Sequence, residues 1–511
     1  VGLVTADDEE TFNNTGRKSR VRREVEGRVG KVLVGREGFE HYLLCYQFVL
    51  RKQVYWLVHE KGLPAELETI VHDLWSLRLQ GLQSRVPPSL DADTEKSKMV
   101  FSSQSEGDID TENESRGAPE HNKKDSGTLR LVDAIALCYV GILLLRLPVT
   151  VGDLHAWVNT GQLLYYAGHK ALPSSMKERL AGTYHNELYP NILQPDDLHC
   201  TVLETVALYE QDYGMSVPPL NSPLLLYRYM KNLTLPLEIY AVTERLARML
   251  DVTYAYDTNS KKEKKKSLVM RHPEARLMCL LVVAVKLLFP FDGLPRSPAT
   301  QSEAAALSLD WQAWIAARSP PKNDSDDESA HDQMERLHFE DSLLFSQADV
   351  FTASDGKLDD FLDHYESTWL DDRINETGRA AREADFRQYL FEQFPSTRAD
   401  RPLRTAIATA PKDAEILRTV QRSLRPVAAL SEAEAAEQQQ RDGEVSRPGS
   451  YYKRYRRVQD LDGPARVFYA AAAGLTALSL QALVRGVFLM ERRLQVWEEA
   501  ERRRGEGVRR G

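Results

Sequence analysis

Two stretches decide the architecture: Leu129–Leu147 (LRLVDAIALCYVGILLLRL) and His272–Phe289 (HPEARLMCLLVVAVKLLF). Each is apolar nearly all round rather than along one face. A helix without a polar side belongs at the centre of a bundle or in a membrane. Between Asp133 and Arg146 lie only twelve apolar positions, and a membrane span needs about 20. The first stretch therefore reads as the core of a bundle. The second carries Pro273 in its first turn, where a missing N–H costs nothing and φ is already helical.

Amphipathic helices surround each of these. Over Arg36–Lys61, the residues Phe39, Tyr42, Leu43, Tyr46, Leu50, Gln53, Val54 and Leu57 recur at three- and four-residue steps, which marks one face of a long helix. Arg51 and Lys52 fall opposite. Gly62 ends that helix and Pro64 starts the next, the expected asymmetry of helix punctuation. The second helix buries Leu67, Ile70, Val71, Leu74 and Trp75. After the first apolar helix come Val151–Tyr166, Ser174–Leu180 and Leu198–Tyr213, and Pro218-Pro219 closes the unit. The order then recurs without sequence identity. Ser222–Leu233 and Pro236–Leu250 precede the second apolar helix, and Ser302–Arg318 follows it, with Leu307, Trp311, Trp314 and Ile315 as its buried set.

These patterns predict an all-α chain of two tandem helical bundles. Residues 1–35 form a basic linker arm. The first bundle covers 36–217 and contains a polar insertion, 84–127, too poor in apolar side chains to offset its ordering entropy. The second covers 218–320. An acidic, partly disordered insertion occupies 321–450; within it Leu343–Phe345 and Phe361–Leu370 hold aromatics that suit short docked helices, and Arg379–Phe394 and Asp413–Leu424 read as helical. A C-terminal helical segment with a basic tail runs over 451–511. It begins with alternating aromatic and basic residues, Tyr451–Arg457, and continues as a helix over Pro464–Glu499. Val467–Val484 is uncharged, but Gly474, Thr476, Ser479 and Gln481 interrupt it, so a buried or partner-binding helix is expected there rather than a membrane anchor.

The composition of the 511 residues, 42% hydrophobic and 28% charged, excludes collagen, a coiled-coil rod and a polytopic membrane protein. The net charge of −9 conceals local clusters. Positions 16–36 carry eight Lys/Arg against two Glu, and 322–376 carry 17 Asp/Glu against four Lys/Arg. Arg17, Lys18, Arg20, Arg22 and Arg23, together with Lys261, Lys262, Lys264, Lys265 and Lys266, are the candidate contacts to phosphate or to an acidic partner surface; a solvated linker and a solvated loop fit the same composition. The four cysteines, Cys45, Cys138, Cys200 and Cys279, stand apart, which argues against a zinc knuckle, a CxxC redox pair or a disulfide framework.

The chain carries no phosphate-binding glycine loop, no GxSxG and no kinase signature. His59-Glu60 lacks the second histidine of a zincin and reads as a polar helix end. His199-Cys200 has no third group to orient it and reads as the surface of a helix N-terminus. A non-enzyme is the expectation.

Tandem bundles with central apolar helices suggest cyclin folds, and particular residues sharpen this. Cys45–Trp75 (CYQFVLRKQVYWLVHEKGLPAELETIVHDLW) resembles the start of the first cyclin repeat in the TFIIB-like subunit of the RNA polymerase I core factor. Gly16–Arg20, Val34–Glu40, Leu147–Leu154 and Leu288–Gly293 are similar to further segments of that family. The resemblance implies a non-enzymatic initiation factor in the nucleus and nucleolus, working with RNA polymerase I, two other core-factor subunits, the TATA-binding protein and the ribosomal DNA core promoter, with no membrane role. It also implies that the segment before the first repeat threads toward the polymerase cleft. The family's zinc ribbon would lie upstream of Val1, so no cofactor is assigned to this chain. A cyclin-type kinase regulator, and a TFIIB-like factor for another nuclear polymerase, are the competing readings.

Because loop-closure cost varies slowly with length, deleting 86–125 is expected to leave the first bundle folded. Circular dichroism and thermal melting of the deletion variant check this; loss of the folded state would make the segment structural.

Overall fold

A computed structural model of the chain describes residues 32–85, 129–256, 268–294, 296–318, 337–369, 411–431, 434–435, 446–449 and 451–510. The first bundle is built from α1 (Gly35–His59), α2 (Glu66–Arg85), α3 (Leu131–Leu144), α4 (Val151–Asn159), the short α5 (Ser174–Lys177) and α6 (Gly182–Glu187), and α7 (Pro195–Tyr213). Its centre is α3, which packs against α1, α2 and α7. From Ala134 to Ile142 its side chains are 4% exposed or less, as a helix apolar on every side requires. Tyrosines on the surrounding helices reach carbonyls across the bundle: Tyr209 Oη donates to Leu74 O at 2.7 Å and Tyr42 Oη to Leu129 O at 2.5 Å. Tyr46 stacks on Trp75 with centroids 5.1 Å apart.

The second bundle begins with α8 (Ser222–Asn232), α9 (Glu238–Met249), the short α10 (Leu268–Arg271) and central α11 (Pro273–Leu288). Every residue of α11 from Leu277 to Val285 is 1% exposed or less. The helix α12 (Trp311–Arg318) joins the bundle where Trp314 Nε1 donates to Leu233 O at 2.9 Å. The expected helix over Ser302–Arg318 is shorter than its pattern. Asp310 Oδ1 accepts from Gln312 N and Ala313 N at 2.9 and 3.2 Å, which starts the helix there. Leu307–Ser308 instead forms β1, antiparallel to β2 (Arg425–Pro426). Likewise α4 stops at Asn159, because Gly161 turns the chain with φ +69°.

Residues 337–369 fold as α13 (Phe339–Leu343), α14 (Gln347–Val350) and α15 (Asp355–Trp369). They rest on the first bundle through Phe339, which packs on Tyr166 and against Gly161. Helix α16 (Pro411–Ser423) packs on α12. The expected helix over Arg379–Phe394, most of the insertion 84–127 and most of Ala428–Asp442 lie outside the described residues.

The C-terminal segment has a role its sequence position conceals. The single helix expected over Pro464–Glu499 is two, α17 (Gly463–Thr476) and α18 (Leu480–Arg510), set 102° apart. The corner is Ala477, with φ +47°. Both helices pack on α11. With α8 and α9 they surround α11, as α1, α2 and α7 surround α3. Gly486 allows the close fit of α18, since a Cβ there would stand 2.7 Å from Cys279 Sγ. The uncharged run Val467–Val484 is thereby divided between two helices of the bundle, and among the described residues no single helix is long and apolar enough to cross a membrane.

One buried ion pair ties α18 to α11. Lys286 Nζ meets Glu491 Oε1, with side chains 2% and 0% exposed. The Lys286 ammonium also lies over the Tyr455 and Tyr452 rings at 4.6 and 5.1 Å. Burial lowers the lysine pKa and raises that of the glutamate, each opposed by the partner's charge.

Leu281→Asp places an unpaired carboxylate at the fully buried centre of α11 and is expected to cost more than about 4 kcal/mol. Thermal melting of the full chain should show loss of the transition assigned to the second bundle. An unchanged melt would overturn the placement of α11.

Candidate interaction surfaces and the seam between bundles

All ten basic residues singled out from sequence, Arg17, Lys18, Arg20, Arg22, Arg23, Lys261, Lys262, Lys264, Lys265 and Lys266, lie outside the described residues. Their attachment points are described. The arm joins the first bundle where Leu33 N donates to Arg179 O at 3.0 Å. The lysine loop joins Tyr256 to α10, where Arg276 Nη2 holds Ala255 O at 2.6 Å. Beside that junction a cavity of about 770 Å³ opens between α9 and α18, lined by Met249, Leu250, Met270, Arg492, Arg493 and Trp497 among others. Arg493 Nη2 donates to Leu250 O at 2.9 Å. The lysine loop therefore leaves the fold near two arginines of α18, a juxtaposition across 230 residues that sequence reasoning missed.

The alternating segment Tyr451–Arg457 sorts its two residue types. Tyr455 is buried and Tyr452 half-buried, both against Lys286, whereas Lys453, Arg454, Arg456 and Arg457 are exposed. Arg454 Nη1 donates to Gln495 Oε1 at 2.7 Å, Arg456 lies over the Phe488 ring at 5.3 Å, and Lys453 pairs with Asp462 at 2.5 Å. Tyr452 and Tyr455 anchor the strip, whereas Tyr451 and the cations are exposed. Its alternation was visible in the sequence; which side faced out was not.

A polar seam joins the bundles. Glu274, in the first turn of α11, is wholly buried and reaches the first bundle. Its carboxylate accepts from Val151 N at 3.1 and 3.2 Å, from Tyr229 Oη at 3.4 Å and from Tyr139 Oη. Val151 is the first residue of α4, so one bundle's carboxylate caps the other's helix, where the helix dipole favours negative charge. At the rim Arg228 grips Asp153 with two hydrogen bonds of 2.6 and 2.7 Å. Asp153 also accepts from Thr150 N and Thr150 Oγ1, both at 2.8 Å. A third contact brings α17 to the first bundle. Gly152 sits where a Cβ would stand 2.0 Å from Leu475 O, which only glycine permits.

His199 belongs to this seam and not to a helix surface as its sequence suggested. It is 2% exposed, and its Nε2 bonds Thr476 O at 2.6 Å. Asp196 Oδ1 accepts from Ser479 N at 2.9 Å. The N-terminus of α7 thus satisfies the backbone that the Ala477 corner leaves open. His199 also faces His272, with ring centroids 5.0 Å apart.

Burial dominates the protonation of these groups. It raises Glu274 from its ordinary 4.5 to about 7, against the opposing pull of its hydrogen bonds. It lowers His199 from 6.5 to about 4, and His272 well below 6.5, the latter also because His199 and two arginines stand nearby. Burial likewise pushes the thiols of Cys45 and Cys138 up to about 12 and that of Cys200 to about 11. None of them offers a reactive thiolate. Among the described residues no three His, Cys, Asp or Glu side chains converge as a metal site would need. His59 is exposed at the end of α1, its ring tilted against that of Tyr55.

The linkage signs follow from these directions. With a raised folded pKa, Glu274 contributes stability that is fully present below about pH 4.5 and lost as pH rises through about 7. With a lowered folded pKa, His199 contributes stability present above pH 6.5 and lost as pH falls toward 4. Glu274→Gln keeps an acceptor for Val151 N and isolates the first effect. The stability of the native protein minus that of the variant is expected to fall by on the order of 3 kcal/mol between pH 4.5 and 7. Chemical denaturation across that range measures it; a flat difference would mean that Glu274 is not desolvated as described.

The seam makes one body of two bundles, and comparison with known proteins places that arrangement. Residues 46–174 match the family described as Rrn7/TAF1B, N-terminal cyclin domain, and residues 191–369 match Rrn7/TAF1B, C-terminal cyclin domain. The RNA polymerase I-specific transcription initiation factor rrn7 of Schizosaccharomyces pombe is 26% identical over 338 residues, covering 62% of this chain and 63% of that protein. The factor RRN7 of Saccharomyces cerevisiae is 20% identical over 275 residues, 51% of this chain and 45% of its own. The matched region thus spans less than two thirds of the length of either relative. Among solved structures, the crystal structure of the Saccharomyces cerevisiae core factor is similar in fold, with a TM-score of 0.51 and 15% identity over 90% of this chain and 98% of that one. With both of its bundles matched in order, the chain belongs to the Rrn7/TAF1B family of tandem cyclin-domain proteins.

Proposed function

We propose that this protein is a non-enzymatic initiation factor for RNA polymerase I, a core-factor subunit that binds ribosomal RNA gene core promoters and recruits the polymerase. The observation that carries the reading is the ordered match of both bundles to the Rrn7/TAF1B cyclin domains. The relatives' names and the fold likeness to the core factor support it. In this reading the partners are RNA polymerase I, two other core-factor subunits, the TATA-binding protein and ribosomal DNA, and the site of action is the nucleus, within the nucleolus. The kinase-regulatory alternative draws no support from the family match.

Physically, an acidic chain is ill suited to hold DNA alone, so phosphate contact falls to local basic segments within an assembly. Arg17, Lys18, Arg20, Arg22 and Arg23 form the first, and Lys261, Lys262, Lys264, Lys265 and Lys266 the second. Arg492 and Arg493 line the cavity beside the described ends of the second, and Lys453, Arg454, Arg456 and Arg457 add an exposed strip. Contacts of this kind position the duplex and do not read its bases. The seam holds the points from which such segments leave the two bundles, which is what a scaffold between DNA and polymerase requires.

Replacing the five arm residues by Ala in the reconstituted three-subunit factor tests the arm. Promoter binding is measured across salt, and initiation by polymerase I is measured alongside. Weaker binding with a shallower salt slope assigns the arm to DNA. Lost initiation with binding unchanged assigns it to the polymerase. If neither changes, the arm has no such role.

A further inference from the structure

Among the described residues, several strongly exposed apolar side chains gather in the acidic unit 337–369. Across 337–369, Leu344 is 68% exposed, Phe351 83%, Leu362 57% and Tyr365 48%. Singly exposed apolar residues are ordinary, but this many in 33 residues marks an interaction face. The inner side of the same unit is spent: Phe345 stacks on Phe361 at 4.8 Å, Phe339 packs edge-on to His364, and Asp360 Oδ2 accepts from Leu337 N at 2.9 Å. The outer side of α15 carries Asp355, Asp359, Leu362, Asp363 and Glu366, all exposed, at the spacing of one helical face. None of those four carboxylates pairs with a cation among the described residues.

An apolar face ridged with carboxylates fits an occupant with arginines and small aliphatic side chains. Arginine suits it better than lysine, because the guanidinium pairs with carboxylates through a planar fork and stacks on an exposed aromatic ring such as Phe351. The chain contains such a segment. Arg17-Lys-Ser-Arg-Val-Arg-Arg-Glu-Val25 interleaves Arg20, Arg22 and Arg23 with Val21 and Val25. Its tether is short. Arg17–Arg23 precede Val32 by nine to fifteen residues, a reach of up to about 30–50 Å. Leu33 is fastened to Arg179, within the α4–α7 connection of the first bundle, the same connection whose Gly161 and Tyr166 carry the 337–369 unit. Tethering of this kind raises the effective concentration of a weak contact to the millimolar range.

We propose that the apolar, acidic face of 337–369 docks the chain's own basic arm, Arg17–Arg23. The arm would then be covered in the free protein and released when a stronger polyanion competes for it. This inference needs only the charge of the arm; it does not rest on the arm's assignment to promoter or polymerase. It also differs from an intermolecular contact, in which the face would hold a basic segment of a second copy or of another protein.

Zero-length carbodiimide coupling of the full chain at submicromolar concentration, followed by mass spectrometry, tests it. Lys18 is expected to couple to Asp359, Asp363 or Glu366 within one chain. The yield should drop at least five-fold at high salt, and by a similar factor in a Phe351→Ser/Leu362→Ser double variant. Both positions are exposed, so this variant should keep its melting temperature, which is measured in parallel. Failure of Lys18 to couple to α15, coupling only between two chains, or a yield indifferent to salt and to the apolar substitutions would each overturn the proposal. Such a failure would leave the promoter-binding result of the arm variant untouched, so the two readings fail separately.

Discussion

The buried carboxylate of Glu274 is the contact on which the arrangement of the two bundles depends. A carboxylate taken wholly out of water is costly unless its lone pairs are used. Here they are used by the first N–H of α4 and by two tyrosine hydroxyls, one from each bundle. A rotation of one bundle against the other would take from the carboxylate its two partners in the first bundle, the α4 helix end and the Tyr139 hydroxyl, at once. The seam therefore has one satisfied arrangement, in a way that apolar packing alone would not impose.

The second bundle adds a further constraint. Its last two helices come from the far end of the chain, after more than 170 residues of intervening sequence. They are held by Lys286 and Glu491 inside a cage of tyrosines, and by His199 and Asp196 at the Ala477 corner. The C-terminal segment is thus welded to both bundles. Closing so long a loop costs only slowly more than closing a short one, which is why the fold can accommodate an acidic unit and further segments between α12 and α17. Of those inserted segments, the described unit 337–369 rests on the first bundle and carries exposed carboxylates.

Much of this was legible in the residues. The central helices α3 and α11 were evident because apolarity on every side leaves no other place for a helix. Pro273 marked the start of α11, and Gly62 and Pro64 the junction of α1 and α2, through elementary backbone chemistry. The Cys45–Trp75 stretch resembled one family closely enough to point to the fold before any coordinates. The ends of α4 and α12 were less legible, since Gly161 and the Asp310 cap override an amphipathic pattern that runs on past them.

What the sequence by itself determined is the composition of each layer: which helices are central, which are amphipathic, where charge concentrates, and that no catalytic motif is present. Helical periodicity and local capping are short-range, so one strand of text contains them. Only the tertiary structure decided that residues 463–510 complete the second bundle, that His199 is interior, that Tyr452 and Tyr455 turn inward while their basic neighbours turn out, and that Glu274 caps the other bundle's helix. Each of those is a contact between residues more than a hundred positions apart, and its sign depends on which groups share a buried space. Burial raises the pKa of Glu274 and lowers that of His199 from the same cause. No pattern within either residue's own neighbourhood carries that information.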